Sequence, residues 1–157
     1  MKSSFVVRLA EHSADVDEVR RLVHTYANAH AAIPGVRHMR ADADQMPGAY
    51  VAPRGALWLA ASGATGIGCV ALRPLDSVAG EVKRMFVDSE WRGRGVGRAL
   101  MEAVIDGARE RGYRTLRLGT LHEMTAAQAL YHSLGFTPIP RYRPDELTDT
   151  RFYELSL

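Results

Sequence analysis

The segment Trp91-Arg92-Gly93-Arg94-Gly95-Val96-Gly97-Arg98, residues 91–98, joins a strand-like run to a helix-like run. The apolar run Val82–Val87 precedes it, and residues 96–104 place apolar side chains at helical spacing. Glycines let backbone N–H groups approach a ligand closely, and the first N–H groups of a helix have no partner within the helix. Arginines among them favour a phosphate. Residues 92–98, here called the glycine loop, are therefore predicted to bind a phosphate-bearing anion.

The composition is that of one soluble globular domain over residues 1–157, with 46% hydrophobic and 24% charged residues. A net charge of +2 gives no argument for nucleic acid. The single cysteine, Cys69, excludes an intrachain disulfide or a cysteine-rich zinc site. The six histidines show no ligand spacing, so we expect no metal. The first residues lack an apolar signal core, so we expect a cytoplasmic protein.

The uncharged run Gly55–Leu72 is long enough to be considered as a membrane span. Residues 62–66, Ser-Gly-Ala-Thr-Gly, interrupt it in the middle. We therefore predict two buried strands joined by a tight turn, and no interaction with a membrane.

Hydrophobic periodicity along the remaining chain predicts a mixed α/β (α+β) domain. Strands are expected at residues 5–9, 57–61, 67–72, 81–87, 114–120, 136–139 and 151–157, and helices at about 15–31, 96–111 and 125–134, with a short one possible within 36–46. Asp15 and Thr125 each begin a capping-box pattern at the start of a helix.

The glycine loop differs from two common phosphate-binding motifs and is similar to a third. A P-loop requires Gly-x-x-x-x-Gly-Lys-Ser/Thr, which does not occur in the chain. A dinucleotide fingerprint requires Gly-x-Gly-x-x-Gly, and Arg98 occupies the position of the third glycine. Residues 92–97, Arg-Gly-Arg-Gly-Val-Gly, instead resemble the Arg/Gln-x-x-Gly-x-Gly/Ala acyl-CoA loop of the GNAT family of N-acetyltransferases.

The resemblance extends from Val82 to about Phe136. Residues 81–87, Glu-Val-Lys-Arg-Met-Phe-Val, precede the loop, a helix follows it, and residues 129–136, Ala-Leu-Tyr-His-Ser-Leu-Gly-Phe, are similar to the family's tyrosine-bearing helix. The resemblance implies a GNAT fold, in which a mixed central sheet of about six or seven strands is splayed between strands 4 and 5 and flanked by about four helices.

The resemblance also implies acetyl-CoA as the cosubstrate, with its pyrophosphate on the backbone N–H groups of the glycine loop. A backbone N–H of Met85 or Phe86 would bind the thioester carbonyl and then the oxyanion. The cofactor-binding positions implied in this way are Met85, Phe86, Val87, Arg92, Gly93, Arg94, Gly95, Val96, Gly97, Arg98 and Ala127.

Three residues are candidates for proton transfer. Tyr131 matches the family tyrosine that protonates the departing thiolate, although its spacing also suits a core residue. Glu81 is the leading base, and the alternative for it is a surface carboxylate paired with Lys83. His122, just past the fifth strand, is the second candidate base.

The expected acceptor is the primary amine of a small molecule that carries a carboxylate, by analogy with an amino acid. It would enter between the first two helices and the loop between the last two strands. Cationic and aromatic side chains at these places are His24, His30, Arg37, His38, Arg40, Arg141, Tyr142 and Arg143, whereas the acidic ones are Asp42, Asp44, Asp145 and Glu146.

Several alternatives stay open from the sequence. They are an acetyltransferase of protein or peptide amines, an acyl-CoA-binding sensor of the same fold without catalysis, and an interaction domain that binds ATP or NAD. A homodimer is also possible.

Overall fold

The computed structural model describes residues 4–33, 35–144 and 149–157. Its strands are β1 (Val6–Leu9), β2 (Ala56–Ser62), β3 (Thr65–Pro74), β4 (Ala79–Val87), β5 (Thr115–Leu121), β6 (Thr137–Ile139) and β7 (Thr150–Ser156). Its helices are α1 (Ser13–Ala29), α2 (Val36–Asp44), α3 (Val96–Glu110) and α4 (Thr125–Ser133), with a short 3₁₀ helix at Ser89–Trp91.

The seven strands form one sheet in the order β1-β2-β3-β4-β5-β7-β6. Among the strands of the described residues, only the pair β4–β5 is parallel, and it is joined through α3. The expected mixed sheet and four helices are confirmed. Within the described residues, no helix is both long and apolar enough to cross a membrane, and Gly55–Leu72 contributes β2 and most of β3 instead.

Each face of the sheet is covered by a separate group of apolar side chains. On one face, residues such as Val104 of α3 and Tyr131 of α4 pack against alternate residues of the central strands. On the other face, residues such as Val19 of α1 and Ala43 of α2 pack against the intervening ones, including Leu59. The period of two along a strand explains why β2 and β3 are buried at nearly every position.

The parallel strands β4 and β5 separate soon after they pair. Their register runs from Ala79 opposite Thr115 only as far as Glu81 opposite Arg117. Beyond that point β4 continues against β3, and β5 continues against β7. The resulting opening between residues 82–87 of β4 and 118–121 of β5 is here called the splay.

An irregularity in β4 lies beside the splay. The antiparallel register with β3 slips between Cys69 and Ala71, so that Arg84 and Met85 together lie opposite one residue of β3. Arg84 has a φ of 54°, which is uncommon for a residue with a side chain. A bulge of this kind bends the strand and increases its twist.

Contacts on two sides hold Arg84 in this conformation. Its guanidinium Nε donates to Asp42 Oδ2 at 2.8 Å, and the hydroxyl of buried Tyr50 donates to the same oxygen at 2.7 Å. The thiol of Cys69 donates to the carbonyl of Arg84 at 3.3 Å. The unfavourable backbone geometry is thus maintained by α2 and by β3.

Both capping-box predictions were wrong. Asp15 lies inside α1 and pairs with Arg8 of β1 at 2.9 Å, because a guanidinium on the neighbouring strand competes for its carboxylate. Thr125 is the first residue of α4 rather than its cap. Gln128 instead donates to the carbonyl groups of Leu121 and His122.

Candidate active site

The glycine loop presents a row of backbone N–H groups at the start of α3. Gly93 and Gly95 have φ values of 75° and 86°, which turn the chain into the helix. The first bond of the helix is donated by the N–H of Ala99 to the carbonyl of Gly95 at 3.0 Å. Within the described residues, the N–H groups of residues 96–98, the first turn of α3, donate no well-formed hydrogen bond. N–H groups at a helix N-terminus favour the binding of an anion.

The arginines of the loop surround these donors. Arg94 stacks over the ring of Trp91 at 4.9 Å, and Arg98 donates to the hydroxyl of Ser133 on α4 at 2.7 Å. Arg92 is exposed and acts electrostatically on the hydroxyl of Tyr26. The loop is therefore both cationic and connected to the helix that carries Tyr131.

The first turn of α3 lies against the apolar side of the splay. A Cβ placed on Gly97 would be 3.4 Å from Leu130 of α4, 3.6 Å from the methyl group of Met85 and 3.8 Å from Val87. Ala127 packs, half-buried, on the same apolar cluster. The structure thus places the glycine loop, the end of β4 and α4 side by side.

Tyr131 lies behind the splay with its side chain 6% exposed. Its ring packs against those of Phe136 and Tyr153, with centroid distances of 5.9 and 6.3 Å. Burial raises the pKa of Tyr131 to about 12, with a smaller contribution from the hydroxyl of Tyr26. The phenol consequently keeps its proton at neutral pH, and the described residues offer its hydroxyl no hydrogen-bond partner.

Tyr26 of α1 is a site residue that the sequence did not identify. Its ring stacks on Phe86 of β4 at 4.0 Å and on His30 at 4.2 Å. Burial raises the pKa of Tyr26, and the nearby Arg92 opposes that rise. In the sequence Tyr26 belongs to the apolar stripe of α1, and only its hydroxyl group distinguishes it from the core residues of that stripe.

Glu81 is 1% exposed, so a surface carboxylate paired with Lys83 does not describe it. Arg73 of β3 donates to its Oε1 at 2.9 Å, and Arg143 from the connection between β6 and β7 donates to the same atom at 2.7 Å. The hydroxyl of Tyr142 donates to its other oxygen, Oε2, at 2.7 Å. The carboxylate of Glu81, four residues before Met85, therefore accepts hydrogen bonds from two arginines and one tyrosine.

Lys83 lies two residues after Glu81 and points to the same face of the sheet. Burial lowers the pKa of Lys83, and the charge of Glu81 opposes this effect. Arg84, Arg73 and Arg143 act in the same direction as burial.

His122 lies at the open end of β5 and is exposed. Arg151 donates to its Nδ1 at 3.2 Å, and its backbone N–H donates to the carbonyl of Asp149. Within the described residues, no contact joins the ring of His122 to Tyr131 or Glu81.

The cations that were predicted to meet the acceptor separate into two groups. His24 pairs with Asp44 at 2.8 Å, and Arg40 donates to Asn28 at 2.6 Å, so these side chains connect α1 with α2. Arg37 and His38 are exposed on α2, whereas Tyr142 and Arg143 reach β4. Asp145 and Glu146 lie outside the described residues.

Cys69 is fully buried beneath the bulge. Burial raises its pKa to about 12, an effect that the backbone N–H of Phe86 and then Arg84 partly offset. The thiolate is therefore not available as a nucleophile. Among the described residues, no cluster of side chains has the composition of a metal site.

Comparison with known proteins identifies related chains. Residues 53–138 match the family model of an acetyltransferase (GNAT) domain. The human protein N-acetyltransferase 8 is 36% identical over 101 residues, which are 60% of this chain and 44% of that protein. N-acetylaspartate synthetase of Danio rerio is 39% identical over 89 residues, which are 55% of this chain and 32% of that protein. The chain thus spans less than half the length of these curated relatives.

Solved structures are similar over nearly the whole chain. A GNAT acetyltransferase from Staphylococcus aureus superposes with a TM-score of 0.82 at 25% identity, covering 98% of this chain and 99% of that one. An acetyltransferase from Salmonella typhimurium, solved with acetyl-CoA, superposes with a TM-score of 0.71 at 22% identity, covering 98% and 94%.

The raised pKa of Tyr131 predicts how stability depends on alkaline pH. Tyrosine ionises near pH 10 in an unfolded chain, so between about pH 10 and 12 the folded state holds one more proton than the unfolded state. The free energy of unfolding therefore falls as the pH rises through this window. In urea titrations at pH 9 and pH 12, the decrease in the free energy of unfolding should be about 2–3 kcal/mol smaller for Tyr131→Phe than for the wild type. An equal decrease in both proteins would contradict the raised pKa of Tyr131.

Proposed function

Since its family-model match covers more than half of its length, this chain belongs to the GNAT acetyltransferase family, and we propose that it transfers an acetyl group from acetyl-CoA to the primary amine of a small molecule. The observation that supports this most directly is the start of α3, whose first-turn N–H groups donate no well-formed hydrogen bond within the described residues and lie beside the splay. Three arginines and the helix N-terminus suit the pyrophosphate of CoA.

The thioester would lie beside the bulge of β4. A backbone N–H of Met85 or Phe86 would donate to the thioester carbonyl. The amine nitrogen attacks the carbonyl carbon, the C–N bond forms, and the negative charge moves to the carbonyl oxygen. Collapse of this intermediate breaks the C–S bond, and the Tyr131 hydroxyl gives its proton to the leaving thiolate.

The amine must also lose a proton, and we assign this to Glu81 rather than His122. The Oε1 atom of Glu81 accepts from two arginines, whereas Oε2 accepts from the hydroxyl of Tyr142 alone among the described residues. A proton from the amine would pass to the oxygen of Tyr142 as the phenol passes its own to Oε2. His122 is exposed beyond the end of β5, and no contact among the described residues joins its ring to the bulge.

The acceptor is proposed to be amino-acid-like. The N-acetylaspartate synthetases among the relatives carry in their name an N-acetylated amino acid with carboxylates. Arginines of β3, β4 and the β6–β7 connection act electrostatically on Lys83, on the face of β4 from which we expect the amine to approach. Transfer to a peptide amine and binding of acyl-CoA without transfer are the alternatives. A cytoplasmic location and a homodimer stay predictions.

Binding of CoA should depend on the backbone geometry of the glycine loop. Gly95→Ala places a side chain at φ 86°, which costs roughly 1–2 kcal/mol and turns the N–H groups away from the ligand. We expect the Kd of CoA, measured by calorimetry, to rise about tenfold or more. Gly112→Ala at the other end of α3 is the matched control, since its φ of 81° gives equal strain. Equal effects of the two substitutions on CoA affinity would contradict the loop assignment.

Catalysis should depend on the hydroxyl of Tyr131. With the best acceptor from an amine screen that detects free thiol, Tyr131→Phe should lower kcat by roughly a hundredfold or more, with little change in the KM for acetyl-CoA. Tyr153→Phe removes a neighbouring hydroxyl, which donates to Gln128, and should have little effect. A kcat that Tyr131→Phe leaves unchanged at every pH would exclude the general acid.

The two candidate bases predict different pH–rate profiles. Glu81→Gln should lower kcat/KM by about a hundredfold and make activity rise with the fraction of neutral amine, since the acceptor must then arrive deprotonated. His122→Ala should preserve the wild-type profile. If His122→Ala changes the profile and Glu81→Gln does not, the base is His122. If neither substitution changes the profile, the amine enters already deprotonated.

A further inference from the structure

The side chain of Lys83 is half-buried on the charged face of β4. The described residues offer its Nζ no hydrogen-bond acceptor and no ion-pair partner. Glu81, the carboxylate that acts electrostatically on Lys83, is already engaged by Arg73, Arg143 and Tyr142. Lysine is seldom removed from water without an anion, because the charged form loses its hydration.

The surroundings of Lys83 have an excess of positive charge. Arg73, Arg84 and Arg143 act electrostatically on its ammonium group and lower its pKa, as burial does to a larger extent. Glu81 and Asp42 are the carboxylates bonded to these arginines. Four cations therefore face two carboxylates, and a bound anion would reduce the repulsion between them.

Lys83 also has a suitable position relative to the proposed reaction. It directly precedes the Arg84–Met85 bulge, where the thioester is expected to lie. Its side chain and that of Phe86 are on the face of the sheet that packs against α1 and α2. Lys83 and Met85 are two residues apart, or roughly 7 Å along a strand. An anionic group held by Lys83 could thus lie within the length of a small molecule from the thioester carbon.

From these contacts we propose that Lys83 binds a carboxylate of the acceptor and thereby selects amino acids over simple amines. The arginines on either side are held by Glu81 and Asp42, so Lys83 supplies the charge that an acceptor can pair with directly. This assignment rests on the proposed acetyltransferase function, and it names a specificity-determining residue of the same site.

The test compares an acid with its neutral analogue. The best acceptor among the proteinogenic amino acids is assayed beside its α-carboxamide, with acetyl-CoA and detection of free thiol. Lys83→Met should lower the acid-to-amide ratio of kcat/KM by about tenfold or more, chiefly through the KM of the acid, because only the acid loses an ionic contact. Lys83→Arg should keep most of the ratio, and Arg109→Met, an exposed arginine at the end of α3, should keep all of it.

A second measurement separates binding from transfer and requires no turnover. Titration of the same amino acid into CoA-saturated protein should give a Kd that Lys83→Met and Lys83→Gln raise about tenfold, while unfolding midpoints verify that both variants are folded. Transfer to amines with an acid-to-amide ratio that does not depend on Lys83 would overturn this assignment and leave the acetyltransferase intact. Binding that depends on Lys83 without transfer would support the carboxylate site and contradict the enzymatic function. Neither binding nor transfer would overturn both.

Discussion

Adjacent parallel strands normally satisfy each other's backbone groups, and β4 and β5 stop doing so after three residues. A strand edge inside a sheet needs partners for its N–H and C=O groups, so an opening of this kind requires a structural cause and favours a ligand. An irregularity of β4 accompanies the opening. Arg84 and Met85 together lie opposite one residue of β3, and a bulge of this kind bends the strand while its pairing with β3 continues.

The two faces of β4 have different chemistry. Met85 and Val87 point toward the first turn of α3 and toward Leu130, and this side is apolar except for the glycine loop at its end. Glu81 and Lys83 point the other way, where arginines and tyrosine hydroxyls converge. A long, largely apolar donor arm and a charged acceptor can therefore approach one carbonyl from opposite sides without sharing contacts.

Local patterns were sufficient for the parts of the site that depend on neighbours in sequence. The glycine loop, β4 and the position of Tyr131 on α4 each follow from a short run of residues, and the fold built from them was confirmed. The partners of Glu81 were not predictable in this way, because Tyr142 and Arg143 lie 61 and 62 residues further along the chain. The positive φ of Arg84 was also hidden, since arginine carries no preference for it. The prediction that Asp15 caps α1 was wrong because its partner, Arg8, belongs to another element, as do the partners of Glu81.

The family pattern covers residues 53–138, yet the contacts that fix β4 come largely from outside that range. Asp42 and Tyr50 hold the bulge from one side, and Tyr142 and Arg143 hold Glu81 from the other. The segments that we propose to meet the acceptor are thus attached to the strand that we propose to bind the thioester carbonyl. Under that proposal, exchange of α2 between relatives would change the substrate preference together with the alignment of the oxyanion donor. Altered selectivity and altered turnover should therefore be inherited together in this architecture.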